Sequence, residues 1–206
     1  MVKQYAFYID SSVCSGCKAC QMACKDKHDL EVGRLWRRVY EISGGEWKKK
    51  DNLWSPGVFA YNLSIACNHC EDPLCKKSCP TKAISKREDG IVILNQKKCI
   101  GCRYCEWGCP YGSLQYDKTS GTMSKCHFCF DLIDRGELPA CVSACPMRAL
   151  DFGDLSELRQ KYLGSNQVYP LPPSSLTGPA IVIKPHRDST RAEMEKGRIS
   201  NLEEVR

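Results

Sequence analysis

Residues 99–110 read CIGCRYCEWGCP. Two-residue gaps separate the first three cysteines of this stretch, a three-residue gap precedes the fourth, and a proline follows it. This C-x2-C-x2-C-x3-C-P run is typical of bacterial [4Fe–4S] sites, in which one tight loop aims three thiolates at three irons of a cube. The fourth cysteine faces away from that loop and, in two-cluster ferredoxins, ligates the other cluster. The stretch therefore predicts a ferredoxin-like module.

Three further groups of four cysteines flank this stretch, and the four groups use all 16 cysteines of the 206-residue chain. Group one repeats the spacing, but Lys25 follows its last cysteine, so we expect a helix to continue through His28. Groups two and four have different gaps and end, like group three, in Cys-Pro. In chain order the groups are Cys14, Cys17, Cys20 and Cys24; Cys67, Cys70, Cys75 and Cys79; Cys99, Cys102, Cys105 and Cys109; and Cys126, Cys129, Cys141 and Cys145.

A second repeat follows the three Cys-Pro pairs. After each proline come two variable residues, then a small residue and an aliphatic one. These pairs are Ala83-Ile84, Ser113-Leu114 and Ala149-Leu150. The recurrence indicates internal repetition of one supersecondary unit.

Disulfides and zinc are the alternatives to iron–sulfur clusters. The longest uninterrupted apolar run is Ile91–Leu94, and the N-terminus has no apolar h-region, so neither a membrane helix nor a signal peptide is expected. The protein is then expected to be made in a reducing compartment, where closely spaced cysteines are more typical of metal sites than of disulfides. Group four alone would suit a four-thiolate zinc site, so a zinc scaffold is the alternative from a different functional class.

The net charge gives little support to a nucleic-acid partner. The formal charge is +6, but sixteen thiolates and four cluster cores bring the loaded chain to about −2. The surplus basic residues thus offset cluster charge, and we expect no nucleic acid. Basic residues beside the cysteines could either raise cluster potentials or form a solvated face, and both interpretations stay open. They are Lys18, Lys76, Lys77, Lys82, Arg103, Lys125 and Arg148.

Alternation of apolar and polar residues predicts the strands. One strand covers residues 4–10, and an antiparallel pair covers 36–42 and 58–65, with a polar, glycine-containing stretch between them. Two hairpins are expected over residues 84–94 and 114–124. We expect short helices at the cysteine loops and one helix over residues 155–163, with Asp154 as its N-cap.

Beyond Gly164 the prolines favour extended chain without packed elements, and the charged end from Arg187 is expected to fray. This tail either lies along a partner subunit or is disordered.

Other residues do not suggest a substrate site. His69 and His127 lie inside cysteine loops, but the sixteen thiols already suffice for four clusters, so these histidines are expected beside clusters rather than as ligands. The chain has no glycine-rich phosphate loop, G-x-S-x-G or H-E-x-x-H motif. We therefore predict a protein with no catalytic residues and no direct small-molecule substrate.

The chain resembles the iron–sulfur B subunits of anaerobic dimethyl sulfoxide reductases, from about Gln4 to Pro185. The cysteine pattern alone is shared with subunits of formate dehydrogenases, nitrate reductases and polysulfide reductases, so the assignment rests on the residues between the cysteines. The matching stretches are IDSS at 9–12, CNHCEDP at 67–73, KREDG at 86–90, CIGCRYC at 99–105, CPYG at 109–112 and RALDFG at 148–153. In nitrate reductase relatives a tryptophan replaces one group-three cysteine and gives a [3Fe–4S] cluster; Cys102 is present here, which implies four [4Fe–4S] clusters.

Spacing alone does not decide which groups share clusters, because 19 residues separate Cys79 from Cys99 and 16 separate Cys109 from Cys126. The resemblance implies that groups two and three form one module and groups one and four the other. It implies four ligand sets: the first set Cys14, Cys17, Cys20 and Cys145; the second set Cys24, Cys126, Cys129 and Cys141; the third set Cys67, Cys70, Cys75 and Cys109; and the fourth set Cys79, Cys99, Cys102 and Cys105.

The resemblance also implies the fold and the function. We expect an α+β fold of two interleaved ferredoxin-like modules, one from residues 1–29 and 115–164 and one from 67–114, with an inserted β segment at 30–66 and a tail at 165–206. The chain would pass electrons from a quinol-oxidising membrane anchor subunit to a molybdopterin catalytic subunit in anaerobic respiration. It would fold in the cytoplasm and reach the periplasmic face of the membrane with a partner that carries a twin-arginine signal. The same role in a formate dehydrogenase, polysulfide reductase or hydrogenase complex is the alternative.

Overall fold

The computed structural model describes residues 3–205, which form short strands and helices around the cysteine loops. The strands are β1 (Tyr5–Asp10), β2 (Arg38–Lys50), β3 (Leu53–Ile65), β4 (Ile84–Lys86), β5 (Val92–Leu94), β6 (Gln115–Asp117), β7 (Thr122–Ser124), β8 (Leu150–Asp154), β9 (Ile181–Lys184) and β10 (Arg198–Ile199). The helices are α1 (Ala19–Lys27), α2 (Leu74–Lys77), α3 (Tyr104–Trp107), α4 (Phe130–Ile133), α5 (Ala140–Ser143), α6 (Leu155–Lys161), α7 (Ser189–Met194) and α8 (Leu202–Val205). Single 3-10 turns occur at Gln96–Lys98 and Ser174–Leu176.

The strand β1 is the middle of a three-stranded sheet, between antiparallel β8 and parallel β9. Its side chains alternate between two faces. Phe7 and Ile9 enter the main core with several of the cysteines, whereas Ala6 and Tyr8 pack beneath α6. The strand expected over residues 4–10 is therefore confirmed, and it brings the loops of groups one and four together because β8 follows group four.

The antiparallel pair between groups one and two is confirmed, but it is longer than predicted. β2 and β3 pair along thirteen residues each, so the polar stretch expected to connect them forms the outer half of the hairpin instead. Gly45 permits this pairing: its φ is +77°, and a Cβ there would lie 2.0 Å from the carbonyl oxygen of Gly57. The inner half of the hairpin, including Val39 and Leu63, is buried.

The two short hairpins are also confirmed, as β4–β5 and β6–β7. They share a separate buried cluster that contains Ile84, Val92, Leu114 and Met123 together with two cysteines. The second hairpin thus packs beside the first rather than with the groups at the chain ends.

The expected short helices are present at the cysteine loops, and α1 ends at Lys27, close to the expected His28. Asp154 caps α6 as predicted, since its side chain accepts the backbone N–H of Ser156 at 2.8 Å. The helix ends at Lys161, two residues earlier than expected. None of the helices between Lys3 and Val205 has the length and apolar content that a membrane crossing requires.

The expectation of an extended C-terminal tail without packed elements is wrong. β9 lies beside β1 with Ile181 and Ile183 almost fully buried, and β10 pairs with β2. The charged end also folds back: the Asn201 side chain donates to the carbonyl oxygen of Val39 and accepts the N–H of Glu41. The three apolar residues 181–183 are enough to form an edge strand when the partner strand β1 is already in place. The prolines around them favoured the wrong prediction of an unpacked segment.

Candidate iron–sulfur centres

The thiols of the first set line one cavity. Cys14, Cys17 and Cys20 come from the loop of group one. Cys145 belongs to group four and follows α5. Cys20 and Cys145 are buried, whereas Cys17 is exposed. The β1–β8 pairing brings these two distant loops together, so one cavity receives its fourth thiol from another group.

The thiols of the third set line a second cavity. Cys67, Cys70 and Cys75 come from group two and Cys109 from group three. Apolar side chains close the cavity together with Asn68, whose amide nitrogen and oxygen are buried without a hydrogen-bond partner. Here too the fourth thiol crosses from the neighbouring group.

The thiols of the second set lie in the most buried part of the protein. Burial, and then repulsion from Cys141 and other thiols, raises the pKa of Cys24 to about 12. Burial and the neighbouring thiols, Cys24 first, raise the pKa of Cys126 well above its ordinary value. Thiols gathered in this way stay protonated unless a cation shares the space, because burial penalises the thiolate.

The fourth set lies nearer the surface. Cys105 is buried, whereas Cys79, Cys99 and Cys102 are partly exposed. Burial, followed by repulsion from the other three thiols, raises the pKa of Cys105 to about 11. The structure therefore brings together all four predicted sets, two around cavities and two as mutually repelling thiols.

The first C-x2-C loop of every group has the same backbone turn. The residue before the second cysteine is left-handed in all four groups, with φ of +72° at Gly16, +42° at His69, +66° at Gly101 and +65° at Phe128. Left-handed residues in such turns point successive N–H groups into a concave site that favours anions. In all four groups this turn can therefore direct backbone N–H groups toward the group that the thiols bind.

The Cys-Pro repeat has a physical meaning that the sequence did not reveal. The third residue after each of these cysteines is left-handed, and the next residue, the small one, donates its backbone N–H back to the cysteine sulfur. The N···Sγ distances are 3.2 Å from Ala83 to Cys79, 3.5 Å from Ser113 to Cys109 and 3.3 Å from Ala149 to Cys145. Hydrogen bonds to cluster sulfurs are one determinant of cluster potential.

Group one lacks this turn because α1 continues past Cys24. A different donor takes its place: the backbone N–H of Arg37 hydrogen-bonds to Cys24 and favours its thiolate. Another feature of α1 was missed from the sequence, although the i, i+4 spacing could have indicated it. His28, four residues after Cys24, lies with its Nε2 3.5 Å from the sulfur of Cys129.

The two histidines in the loops lie beside the thiols, as expected. His69 is fully buried and accepts the backbone N–H of Val92 on Nδ1 at 3.0 Å. Burial lowers the pKa of His69 well below its ordinary value and that of His28 to about 4, and it also lowers the pKa of His127. All three rings are therefore neutral at pH 7.

The structure separates the basic residues near the cysteines into three kinds. Five of them are exposed to solvent: Lys76, Lys77, Lys82, Arg103 and Arg148. Lys18 pairs with Glu41 and Glu204. Lys125 is only 3% exposed; its Nζ lies 3.8 Å from the sulfur of Cys67 and donates to the carbonyl oxygen of Cys126 at 2.8 Å and to that of Val92. One buried cation thus lies between the second and third sets.

Buried polar atoms without a partner provide a test of whether clusters fit. Such atoms gather near the thiols, and each would cost about 1–3 kcal/mol if left unsatisfied. Within residues 3–205, no three His, Cys, Asp or Glu side chains converge closely enough to hold a single metal ion. All-thiolate sets with N–H donors around them are the ligand environment of [4Fe–4S] clusters, so the residues present fit that group. Six of the partnerless atoms belong to Arg37 (Nε and Nη2), Asn68 (Nδ2 and Oδ1), His69 (Nε2) and His127 (Nδ1), and the others are Arg34 Nε, Arg38 Nε and Asp131 Oδ1.

Comparison with known proteins agrees with this environment. A family model described as a 4Fe-4S dicluster domain matches residues 58–155. The B subunit of the anaerobic dimethyl sulfoxide reductase of Escherichia coli is 51% identical over the full length of both proteins. Its counterpart in Haemophilus influenzae is 47% identical over 99% of this protein and 100% of the relative. The B subunit of the polysulfide reductase of Wolinella succinogenes is 37% identical over 78% of this protein and 82% of its own length.

Proposed function

Because the protein belongs to the family of iron–sulfur B subunits of anaerobic dimethyl sulfoxide reductases, with four [4Fe–4S] clusters, we propose that it relays electrons from a quinol-oxidising membrane subunit to a molybdopterin catalytic subunit. It is an iron–sulfur electron-transfer subunit of a dimethyl sulfoxide reductase-type complex. In the proposal it has no catalytic residues of its own. The observation that carries the proposal is that thiols of neighbouring sets lie close together, as Cys20 does to Cys141 and Cys126 to Cys67; we propose that the four sets form a row.

The proposed ligands are the four sets defined above. Each bound [4Fe–4S] cluster supplies reversible one-electron transfer. The residues of the chain hold it with thiolates, donate N–H groups to the sulfurs and exclude water from the inner sets. The crossed cavities support the first and third sets most directly, since each contains four thiols of one proposed set.

Helix packing supports the order of the row. α1 packs against α5, and each of these helices carries or closely precedes one ligand of the first set and one of the second. α2 packs against α3, and these two helices are related in the same way to the third and fourth sets. The two pairs meet where Cys67 of the third set lies near Cys126 of the second, with Lys125 between them. The row therefore runs first, second, third, fourth.

Exposed apolar side chains lie at both ends of the row. Val13, Met22 and Met147 are near the first set, and Ile100, Tyr104 and Trp107 are near the fourth. Apolar residues that stay exposed together are typical of protein interfaces. We place the partner subunits at these two ends, since electrons must enter and leave where a cluster is close to the surface.

The modules and the location follow from the same family. Residues 1–29 with 115–164 and residues 67–114 are the proposed interleaved ferredoxin-like modules, and the β6–β7 hairpin of the first packs against the second. Residues 30–66 are the proposed insertion, and the exposed surface of residues 165–206 is proposed to contact a partner. The periplasmic face is the proposed location, reached with an exported catalytic partner. The polysulfide reductase relative makes the same role in a sulfur-reducing complex the second candidate, and its lower identity places it second.

Purification from native membranes tests the proposal. A tagged protein, solubilised anaerobically, should retain a molybdopterin protein and an integral membrane protein. Trp107→Glu should release one partner, because it puts a charge at one end of the row, whereas Leu163→Glu, at an even more exposed apolar residue elsewhere, should release neither. Recovery of the wild-type protein alone, or equal retention of both partners by the two variants, would contradict the proposed arrangement.

A further inference from the structure

Arg37 carries a buried charge that the protein leaves largely unpaired. It precedes β2 and is 1% exposed, which makes it one of the largest fully buried side chains of residues 3–205. Only Nη1 has a protein acceptor, the hydroxyl of Ser64 at 3.1 Å. Nε and Nη2 have none, and none of the ion pairs among the described residues includes Arg37. A buried guanidinium in this condition requires an anion.

The groups around the guanidinium identify that anion. Burial opposes its charge, but the sulfurs of Cys141, Cys20, Cys126 and Cys24 favour it and hold the pKa of Arg37 above its ordinary value. Cys20 belongs to the first set and the other three to the second. The guanidinium therefore lies between two proposed clusters and is close to the sulfurs of both.

A chain of hydrogen bonds connects Arg37 to the first set. Arg37 donates to Ser64, whose oxygen lies 3.3 Å from the sulfur of Cys20. Since the Ser64 oxygen already accepts from Arg37, its own proton is free to point at the Cys20 sulfur. On the side of the second set, the backbone N–H of Arg37 hydrogen-bonds to Cys24.

The remaining contacts of Arg37 are apolar. The guanidinium lies 4.6 Å from the ring centre of Phe7, which stacks on Phe128 at 4.0 Å. A desolvated cation–π contact contributes about 2 kcal/mol or more, but it supplies no acceptor for the two nitrogens that lack a hydrogen bond. Arg38, the next residue, is also buried but leaves only its Nε without a partner, and its Nη2 donates to the carbonyl oxygen of Tyr111 at 2.8 Å.

We propose that Arg37 is the shared counter-charge of the clusters held by the first and second sets, donating its free N–H groups to their sulfurs and raising the potential of both. The inference rests on the ligand sets of the proposed function. An added electron makes a cluster more negative, so a fixed positive charge beside it stabilises the reduced form. One guanidinium between two clusters favours reduction of both and keeps the electron from being held at the buried second set alone.

Redox titration of the intact complex, read by electron paramagnetic resonance, tests the proposal. Chemical mediators set the potential, and the signals lost in Cys17→Ser and Cys129→Ser assign the first and second clusters. Arg37→Gln should lower the reduced-to-oxidised ratio of these two clusters at least tenfold at a fixed potential, which is about 59 mV for a one-electron couple. The other two clusters should not shift. Arg38→Gln, which removes a neighbouring buried charge, should leave the first and second clusters unchanged.

Further variants keep the test decisive. Ser64→Ala should shift the first cluster alone. If Arg37→Gln fails to load its clusters, Arg37→Lys decides by the same titration, because it retains the charge but loses the planar fork of donors; a shift of at least threefold confined to the two clusters is expected. Unchanged ratios in loaded Arg37 variants, or equal shifts of all four clusters, would overturn the proposal. Failure of quinol to reduce the wild-type complex would count against the relay alone, because the mediator titration does not depend on quinol.

Discussion

Replacing Gly101 with alanine should weaken the group-three loop far more than the same change at Gly112. Both glycines are left-handed, with φ of +66° and +58°, so alanine costs about 1–2 kcal/mol at either position. Only Gly101 lacks room, because a Cβ there would lie 2.2 Å from the carbonyl oxygen of Gly121, whereas the nearest atom at Gly112 is Arg38 Nη1 at 3.5 Å. Overpacking adds about 1–3 kcal/mol.

The assay is loss of the visible cluster absorbance in anaerobic guanidinium. If the strain is released when the site opens, the extra 1–3 kcal/mol makes Gly101→Ala lose its clusters roughly 5–150 times faster than Gly112→Ala. The loss should begin with the cluster of the fourth set, since Gly101 lies between two of its ligands. Equal rates in the two variants would refute the loop packing described here, as would faster loss from Gly112→Ala.

Three further predictions concern the row and the sheet. Lys125→Met removes a cation 3.8 Å from the sulfur of Cys67. Unit charges at this distance attract by about 4 kcal/mol at an effective dielectric constant of 20, and spreading of the negative charge over the cluster reduces this to about 1–2 kcal/mol. The potential of the third cluster should therefore fall by about 40–80 mV, and an unchanged potential would argue against the contact. Cys102→Ser leaves the fourth set with three thiolates, so electron paramagnetic resonance of the oxidised protein should show a [3Fe–4S] signal of higher potential while quinol-dependent turnover falls; full turnover with that signal present would put the cluster off the path. Ile183→Ala removes a fully buried side chain from β9 and should cost about 2–5 kcal/mol, measured as faster proteolysis of the C-terminal segment; wild-type resistance would mean that β9 is not part of the core.

The elements predicted correctly from the sequence are those that depend on patterns of neighbouring residues. Two-residue periodicity located β1, turn residues located both short hairpins, and Asp154 marked the start of α6. The sequence did not predict β9, since pairing with β1 joins residues more than 170 positions apart and no local pattern encodes that partner. The cysteine spacing likewise left the pairing of groups open, because the geometry that crosses Cys109 and Cys145 into other loops depends on tertiary packing.

Arg37 was missed for a related reason. An arginine at the start of an alternating strand is expected to face solvent, because burial of a lone charge is costly. The charge that makes its burial favourable belongs to the bound clusters, which hydropathy patterns do not include. Lys125, by contrast, could be suspected because it immediately precedes Cys126, but only its burial separates it from the exposed basic residues.

The central claim is that this protein is a four-cluster relay between a quinol and a terminal reductase. The most direct test is to add reduced quinol to the anaerobically purified complex, which should contain about 16 iron and 16 acid-labile sulfide per copy of this subunit, and to follow its visible absorbance. Quinol should partly bleach the visible absorbance of the clusters, and dimethyl sulfoxide should then restore it. Stoichiometric zinc without sulfide, or clusters that quinol does not reduce although dithionite does, would contradict the claim.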